Sequence, residues 1–279
     1  MCETDASGTK GCQDTPHAAA GASAVPDPQQ PRRLSLPGRP ALGYHLHAGA
    51  GPTIVFLGGF ASTMDGTKAS FLDERCRAEA RAFLRFDYRG HGASDGAFVD
   101  ATIGEWRDDA LAMLDEVVHG PCLLVGSSMG AWIATLAARA RPGRVAGMVT
   151  VAAAPDFTEL LLRPALTATQ KADLARQGWT PRPSRYGDGP YPIGRRLVEE
   201  GQHHRVLTGP IDVPAPLRAL HGLADPDVPF GLSLRLVQAW RHPDAEALLV
   251  KDGDHRLSRP EDLERLADVV DRLWRQVRA

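Results

Sequence analysis

The chain contains, at residues 122–130, the run Cys122-Leu123-Leu124-Val125-Gly126-Ser127-Ser128-Met129-Gly130, in which an apolar segment leads directly into a Gly-x-Ser-x-Gly turn. The following residues, 131–140, carry apolar side chains at helical spacing. A strand, a tight turn and a helix in this order are typical of a nucleophile elbow, where glycines let the chain turn sharply and a serine hydroxyl projects above a sheet. Ser128 is therefore the candidate nucleophile.

An acid and a base follow the serine along the chain. Residues 216–222 predict a buried strand, and Asp225 lies on the loop that leaves it. Residues 247–250 predict the last strand, and His255 lies just beyond it. A serine hydroxyl needs a base that takes its proton and an acid that orients that base. The order serine, acid, histidine is that of α/β-hydrolases and differs from the order in chymotrypsin and subtilisin.

The acid can be chosen among four aspartates. Asp225 is preferred because it stands three residues before Val228-Pro229, although it is also compatible with a simple turn residue ahead of a proline. The alternatives are Asp227, Asp252 and Asp254. His255 is preferred as the base because, among the ten histidines, it is the one that follows the final strand. We interpret the following histidines as surface, turn or supporting groups: His45, His47, His91, His203, His204 and His221.

Stabilisation of an oxyanion requires preorganised donors, because acyl transfer places a negative charge on the former carbonyl oxygen. One donor is expected from the backbone N–H of Met129, at the start of a helix whose dipole favours an anion. The other is expected from the loop after residues 53–57, where Gly58-Gly59 lets the main chain approach a substrate and Phe60 supplies the N–H. The glycine pair is equally compatible with an ordinary tight turn.

Several further segments match one enzyme group. They are Gly58–Phe60, Met64–Ala69, Arg85–Gly96, Gly104–Asp109, Gly201–His204, His221-Gly222 and Asp254–Arg256. With these segments and the elbow, the chain from about Gly51 to Leu273 resembles α/β-hydrolases. Within them it is similar to the group of mitochondrial palmitoyl-protein thioesterases that also act as mycophenolic acid acyl-glucuronide esterases. The resemblance implies Ser128 as nucleophile, Asp225 as acid and His255 as base.

The alternation of segments predicts an α/β fold. Strand and helix signals that follow one another along a chain are typical of a mostly parallel central sheet flanked by helices, with ligands at the carboxyl ends of the strands. All three triad candidates are expected at that edge. Strands are predicted near 34–47 and at 53–58, 82–87 and 145–152, and helices near 68–81 and 102–118.

The alternation breaks between about residues 156 and 213, which we predict to form a cap or lid. Residues 158–177 have a helical pattern, and residues 179–193 are rich in proline and aromatic side chains. Insertions of this length in a compact domain usually serve function, although one that merely packs on the core is the alternative. Trp179, Tyr186 and Tyr191 are the candidate walls of an apolar acyl or aryl pocket.

The composition limits the partners. The chain of 279 residues is 43% hydrophobic, which is enough to form the core of one catalytic domain over residues 34–279. Its net charge of −2 gives no electrostatic basis for binding nucleic acid or an anionic membrane. Four cysteines without metal spacing predict free thiols and no metal site. No window predicts a membrane span, and no signal peptide is recognised.

Residues 1–33 are predicted to form a disordered tail, because they contain almost no large apolar side chains. Glu3 and Asp5 argue against an organellar transit peptide, in contrast with the mitochondrial group that the chain resembles. We therefore expect a cytoplasmic protein. The sequence does not specify the oligomeric state.

Together these features predict a serine hydrolase that cleaves a small-molecule ester or thioester, of acyl-thioester or acyl-glucuronide type, through an acyl-enzyme and without a cofactor. An acyltransferase or a carbon–carbon bond hydrolase with the same triad is an alternative, because the lid selects the leaving group and the acceptor. A non-catalytic binding protein is disfavoured, because such a protein need not keep serine, acid and histidine together.

Overall fold

A computed structural model describes residues 30–184 and 189–278. Most of the predicted tail, residues 1–29, lies outside the described residues. The first strand already begins at Arg32, inside the segment predicted as tail, because Arg32 pairs with Tyr44 in an antiparallel ladder. The boundary of the folded domain therefore lies slightly earlier than the apolar pattern suggested.

The described residues form one sheet of eight strands and a separate sheet of two. The order in the large sheet is β1-β2-β4-β3-β5-β6-β9-β10. Strand β2 pairs antiparallel with both β1 and β4, and the other neighbouring strands pair in parallel. This arrangement confirms the predicted α/β fold with a mostly parallel sheet. The strands are β1 Arg32–Leu34, β2 Leu42–His47, β3 Ala50–Leu57, β4 Arg81–Phe86, β5 Cys122–Ser127, β6 Val145–Val151, β7 Trp179–Arg182, β8 Tyr191–Gly194, β9 Leu217–Gly222 and β10 Ala245–Val250.

The helices cover the sheet between these strands. They are α1 Thr67–Ala78, α2 Ile103–Ala112, α3 Met129–Ala140, α4 Arg163–Ala165, α5 Ala168–Gln177, α6 Arg195–Glu200, α7 Gly231–Ala239 and α8 Pro260–Val277. Short 3₁₀ turns cover Phe98–Asp100 and Gly201–His204, and π-helical turns cover Met113–Val117 and Thr158–Leu162. The helix predicted over 68–81 ends at Ala78, because Ala80 adopts a φ of 52° and turns the chain into β4.

Strand β5 lies at the centre of the sheet, and every one of its residues is buried. Its neighbours β3 and β6 are both parallel to it, so both faces are covered by helices, and a continuous apolar run is the expected sequence for such a strand. Helix α3 follows at once and is buried from Met129 to Ala138. The buried strand and this helix thus fix the turn between them at the carboxyl end of β5.

Among its described residues, the segment predicted as a lid contains helices α4, α5 and α6, one π-helical turn, one 3₁₀ turn and the small sheet. Helix α5 begins at a capping box, in which Thr167 and Gln170 exchange hydrogen bonds, and it ends before Gly178 at a φ of 83°. Strands β7 and β8 then pair antiparallel and place Pro181 opposite Pro192. Two-stranded pairing tolerates these prolines, because each strand has one unpaired edge.

None of the described helices is both long enough and apolar enough to span a lipid bilayer.

Candidate active site

Ser128 occupies a strained turn between β5 and α3. Its φ of 55° and ψ of −116° are uncommon for a residue with a side chain. Neighbouring backbone groups hold this conformation. The Ser128 N–H donates to the Val151 carbonyl at 2.8 Å, and the Ser128 carbonyl accepts from the N–H groups of Ala131 and Ala154 at 3.0 and 3.2 Å.

The two glycines of the turn are required by close packing. A Cβ on Gly130 would lie 2.1 Å from the Leu57 carbonyl oxygen, and one on Gly126 would lie 2.6 Å from the Ala131 Cα. Backbone atoms cannot move out of the way without displacing β3 or α3. The Gly-x-Ser-x-Gly pattern therefore follows from how tightly the strand, turn and helix pack.

The structure brings the three triad candidates together. His255 Nε2 lies 3.1 Å from Ser128 Oγ, and His255 Nδ1 lies 2.8 Å from Asp225 Oδ2. Both distances are within hydrogen-bond range. The three residues follow β5, β9 and β10, and these strands end at the same edge of the sheet. The imidazole is thus placed to take a proton from the serine hydroxyl while a carboxylate accepts from its other nitrogen.

The Asp225 carboxylate is held by four donors. Its Oδ1 accepts the backbone N–H groups of Asp227 and Val228 at 2.8 and 2.9 Å, and its Oδ2 is contacted by His255 and by His221. Burial acts to raise the pKa of Asp225, but the hydrogen bonds from His221 and His255 outweigh it and hold this pKa well below its usual range. Asp225 is therefore a fixed anion beside the imidazole.

The other three aspartates occupy different positions. Asp227 lines the cavity next to Ser128, Asp252 forms an ion pair with Arg259, and Asp254 accepts the backbone N–H of Leu257. The sequence left these carboxylates as alternatives for the acid. The structure places Asp225 against His255 Nδ1.

The two backbone groups expected to form an oxyanion hole, the N–H groups of Phe60 and Met129, belong to residues that line the same cavity as Ser128. Gly59, before Phe60, passes so close to the nucleophile that a Cβ there would lie 3.5 Å from the Ser128 Cβ. Among the described residues, neither N–H has a backbone acceptor. Both groups are thus available to a bound oxygen.

Ser128 lines a cavity with a volume of about 610 Å³. The apolar residues that line it come from the loop after β3, the lid segment and the loop after β6, and we call them the apolar wall: Phe60, Ala154, Phe157, Leu161, Tyr191 and Ile193. A second set of lining residues carries hydroxyl and cationic side chains, and we call it the hydroxyl-rich wall: Ser62, Thr63, Thr67, Lys68, Arg256 and Ser258.

The three aromatic lid residues have different positions. Tyr191, one of the three candidate wall residues, lines the cavity. Trp179 is 40% exposed and is not among the residues that line the cavity. Strand alternation explains this placement, because Trp179 and the buried Thr180 point to opposite faces of β7. Tyr186 lies outside the described residues.

Two residues beside the site were not assigned individual roles from the sequence. Lys68 Nζ donates to the carbonyl of Arg256, the residue after His255, and lies 3.4 Å from Ser258 Oγ. Burial and the neighbouring charge of Arg256 lower the pKa of Lys68 to about 8.

His221 is completely buried against Asp225. Within the described ranges, no group of three or more His, Cys, Asp or Glu side chains is arranged to hold a metal ion.

Comparison with known proteins defines the class. The model of the alpha/beta hydrolase family matches residues 54–272. The chain therefore belongs to the α/β-hydrolase family, and it is an enzyme of the hydrolase type.

Individual relatives cover most of the chain. It is 40% identical over 235 residues to the mitochondrial palmitoyl-protein thioesterase ABHD10 of Mus musculus. The aligned residues cover 84% of this chain and 79% of the relative. The structure of the mouse alpha/beta hydrolase domain-containing protein 10 matches with a TM-score of 0.79 and 37% identity, covering 87% of this chain and 97% of that one. A protein from Agrobacterium vitis S4 matches with a TM-score of 0.84 and 39% identity, over 88% of this chain and 98% of that one.

Proposed function

We propose that this protein hydrolyses acyl esters or thioesters with an apolar acyl group, and that Ser128, His255 and Asp225 carry the reaction. The observation that carries the proposal is the continuous contact from Ser128 Oγ through the His255 ring to Asp225 Oδ2. Ser128 and His255 both line the cavity that contains the apolar wall. The curated relatives named as palmitoyl-protein thioesterases support a long acyl chain on a sulfur leaving group.

The proposed mechanism has two steps. His255 Nε2 takes the proton of Ser128 as Oγ attacks the acyl carbon, and the same proton passes to the departing oxygen or sulfur. Water, deprotonated by His255, then attacks the acyl carbon, the bond to Ser128 Oγ breaks, and His255 returns the proton to Oγ as the free acid leaves. The N–H groups of Phe60 and Met129 stabilise the oxyanion in both steps, which is worth about 3 kcal/mol for each donor in related chemistry.

The two cavity walls suggest how the substrate is oriented. The acyl chain packs against the wall that contains Phe157 and Tyr191, and the leaving group faces the hydroxyl-rich wall that contains Thr67 and Lys68. A polar leaving group is favoured there, because hydroxyl and ammonium groups retain hydrogen-bond partners on binding.

A substrate panel tests the proposal. The kcat/KM of wild-type protein is measured on p-nitrophenyl esters from acetate to palmitate, on palmitoyl-CoA and on an acyl glucuronide, with Ser128→Ala as the control. We expect turnover that prefers long acyl chains and that disappears in Ser128→Ala, together with loss of labelling by a fluorophosphonate. Turnover that persists undiminished in Ser128→Ala would contradict the assignment of the nucleophile.

Product analysis separates hydrolysis from transfer. If water is the acceptor, the free acid accumulates at the rate of substrate loss, even when a competing alcohol or thiol is added. Acyl transfer to the added alcohol or thiol would instead support the acyltransferase alternative.

The cytoplasmic location expected from the sequence stays a prediction. The curated relatives are named as mitochondrial proteins, and subcellular fractionation of cells that express the full chain decides between the two compartments.

A further inference from the structure

His221 forms a second imidazole contact to the proposed catalytic acid. It lies near the end of β9, four residues before Asp225, and its side chain is fully buried. Its Nε2 lies 3.1 Å from Asp225 Oδ2 and 3.0 Å from the Val228 carbonyl oxygen. Its Nδ1 lies 2.7 Å from Ser233 Oγ on helix α7.

These contacts define the tautomer of His221. A carbonyl oxygen and an ionised carboxylate can only accept hydrogen bonds, so Nε2 must carry the hydrogen. In a neutral imidazole Nδ1 is then the acceptor, and the Ser233 hydroxyl donates to it. The hydroxyl therefore fixes the ring in the orientation that presents its Nε2–H to Asp225.

The burial of this ring argues for a specific role. The buried neighbours of His221 in β9 are apolar, as in Ala219 and Leu220, and an apolar side chain would also fill the end of the strand. A buried polar ring is costly unless its polar atoms are satisfied. In His221 both nitrogens are satisfied, and one of the partners is the carboxylate that contacts His255.

We infer that His221 is a positioning residue, which together with Ser233 holds the Asp225 carboxylate in the orientation that delivers Oδ2 to His255 Nδ1. The inference rests on the proposed function of the triad. The backbone N–H groups of Asp227 and Val228 anchor Asp225 Oδ1, so the placement of Oδ2 depends on its own donors. Without the His221 donor, Oδ2 keeps the single contact to His255, and the carboxylate can tilt about the anchored Oδ1. The imidazole would then be less precisely oriented toward Ser128.

Three variants test the inference. His221→Leu removes the donor, His221→Gln places an amide N–H near the position of Nε2, and Ser233→Ala removes the group behind the ring. We expect His221→Leu to lower kcat on the order of 10²-fold with little change in KM, because misorientation of a reacting group has effects of this size. His221→Gln should recover most of the loss, and Ser233→Ala should show a smaller loss of the same kind.

A spectroscopic measurement separates positioning from packing. In wild-type protein the His255 Nδ1 proton, bonded to Asp225, should give a low-field ¹H NMR resonance. It should be lost or broadened in His221→Leu and retained in His221→Gln. A folded His221→Leu protein with wild-type kcat would overturn the inference. So would a His221→Gln protein whose kcat is as low as that of His221→Leu and whose low-field resonance is also lost. If His221→Leu does not fold, the inference is overturned when Ser233→Ala keeps the kcat and the low-field resonance of the wild-type protein.

The order of measurement keeps the two proposals apart. The nucleophile is established first, by showing that the wild-type protein turns over substrate and that Ser128→Ala does not. An unaffected His221 variant then contradicts only the positioning role, whereas absence of esterase and thioesterase turnover in the wild-type protein contradicts the proposed function itself.

Discussion

The ring of Tyr191 lies edge-on against the ring of Phe60, with 5.3 Å between their centroids. Tyr191 belongs to strand β8 of the lid segment, and Phe60 to the loop that follows β3. The Phe60 ring also contacts Phe157 and Trp106, each at 5.8 Å. A chain of aromatic contacts therefore connects the lid to the loop whose N–H we assign to the oxyanion hole.

We predict that Tyr191→Ala reduces kcat/KM for palmitoyl esters much more than for acetyl esters. The lost wall contact should remove about 1–3 kcal/mol of transition-state binding for a chain that reaches it, the range that an apolar pocket can discriminate. Trp179→Ala is the matched control, because this exposed tryptophan lies on the same small sheet but is not among the residues that line the cavity. A chain-length series measures the effect, and equal losses at every chain length would mean that Tyr191 supports the fold rather than selecting substrates.

We predict that Asp225→Asn lowers kcat by about 10⁴-fold, because an amide in place of the carboxylate no longer fixes the tautomer of His255. Asp227→Asn should have a much smaller effect. The interaction between residue 227 and Asp225 uses the backbone N–H, which the substitution retains. Steady-state kinetics on one ester compares the two, and an inactive Asp227→Asn beside an active Asp225→Asn would reverse the assignment of the acid.

We predict that Gly130→Ala destabilises the protein by about 3 kcal/mol and abolishes fluorophosphonate labelling, because the new Cβ would overlap the Leu57 carbonyl and displace the elbow. Gly143→Ala is the control, since a Cβ there meets nothing within 4 Å, and its effect should stay within about 0.5 kcal/mol. Chemical denaturation gives both values. Normal stability and labelling in Gly130→Ala would show that the elbow tolerates a side chain.

We predict a loss of stability between about pH 6.5 and 4 that depends on His91. Burial lowers the pKa of His91 to about 4, even though its bond to the Arg89 carbonyl acts in the opposite direction. The unfolded chain binds this proton first as pH falls, so the contribution is complete above about pH 6.5 and is lost toward pH 4, for a total of about 3 kcal/mol.

Denaturation curves across this pH range test the prediction. His91→Asn should flatten the dependence whatever its effect at neutral pH, because the asparagine does not titrate. The same substitution at the exposed His119 should leave the dependence unchanged. An equally steep dependence in His91→Asn would assign the effect to another group.

The elbow could be predicted because its determinants are local. Residues 122–140 contain the buried strand, the small residues that the turn needs and the helix that closes it. The sequence preferred Asp225 as the acid from its spacing before Val228-Pro229, but its position beside His255 depends on long-range pairing. His221 pairs with Leu249 and Gly222 with Val250 across β9 and β10, and this register brings the loops that carry Asp225 and His255 side by side.

Other features required the three-dimensional arrangement. Composition made Trp179 and Tyr191 equivalent candidates, but the two-residue period of a strand and the pairing of β7 with β8 determine which side chain reaches the cavity. The contact of His221 depends on Ser233, which comes from the following helix and has no recognisable spacing signal. Side-chain direction and partners from other elements are properties of packing, and periodicity alone does not contain them.

The position of β10 at the edge of the sheet has a kinetic consequence. Ser128 follows the central strand, whereas His255 follows β10, which pairs with β9 alone in the large sheet. Strands β9 and β10 join the centre of the sheet through the pairing of β9 with β6, in which Leu217 pairs with Met148. Parallel pairing over such a sequence separation is slow because loop closure must precede the contacts that stabilise it. During refolding the nucleophile turn can therefore form while the imidazole is still remote. Labelling of Ser128 should lag behind the recovery of secondary structure and report the docking of β9 and β10 onto β6.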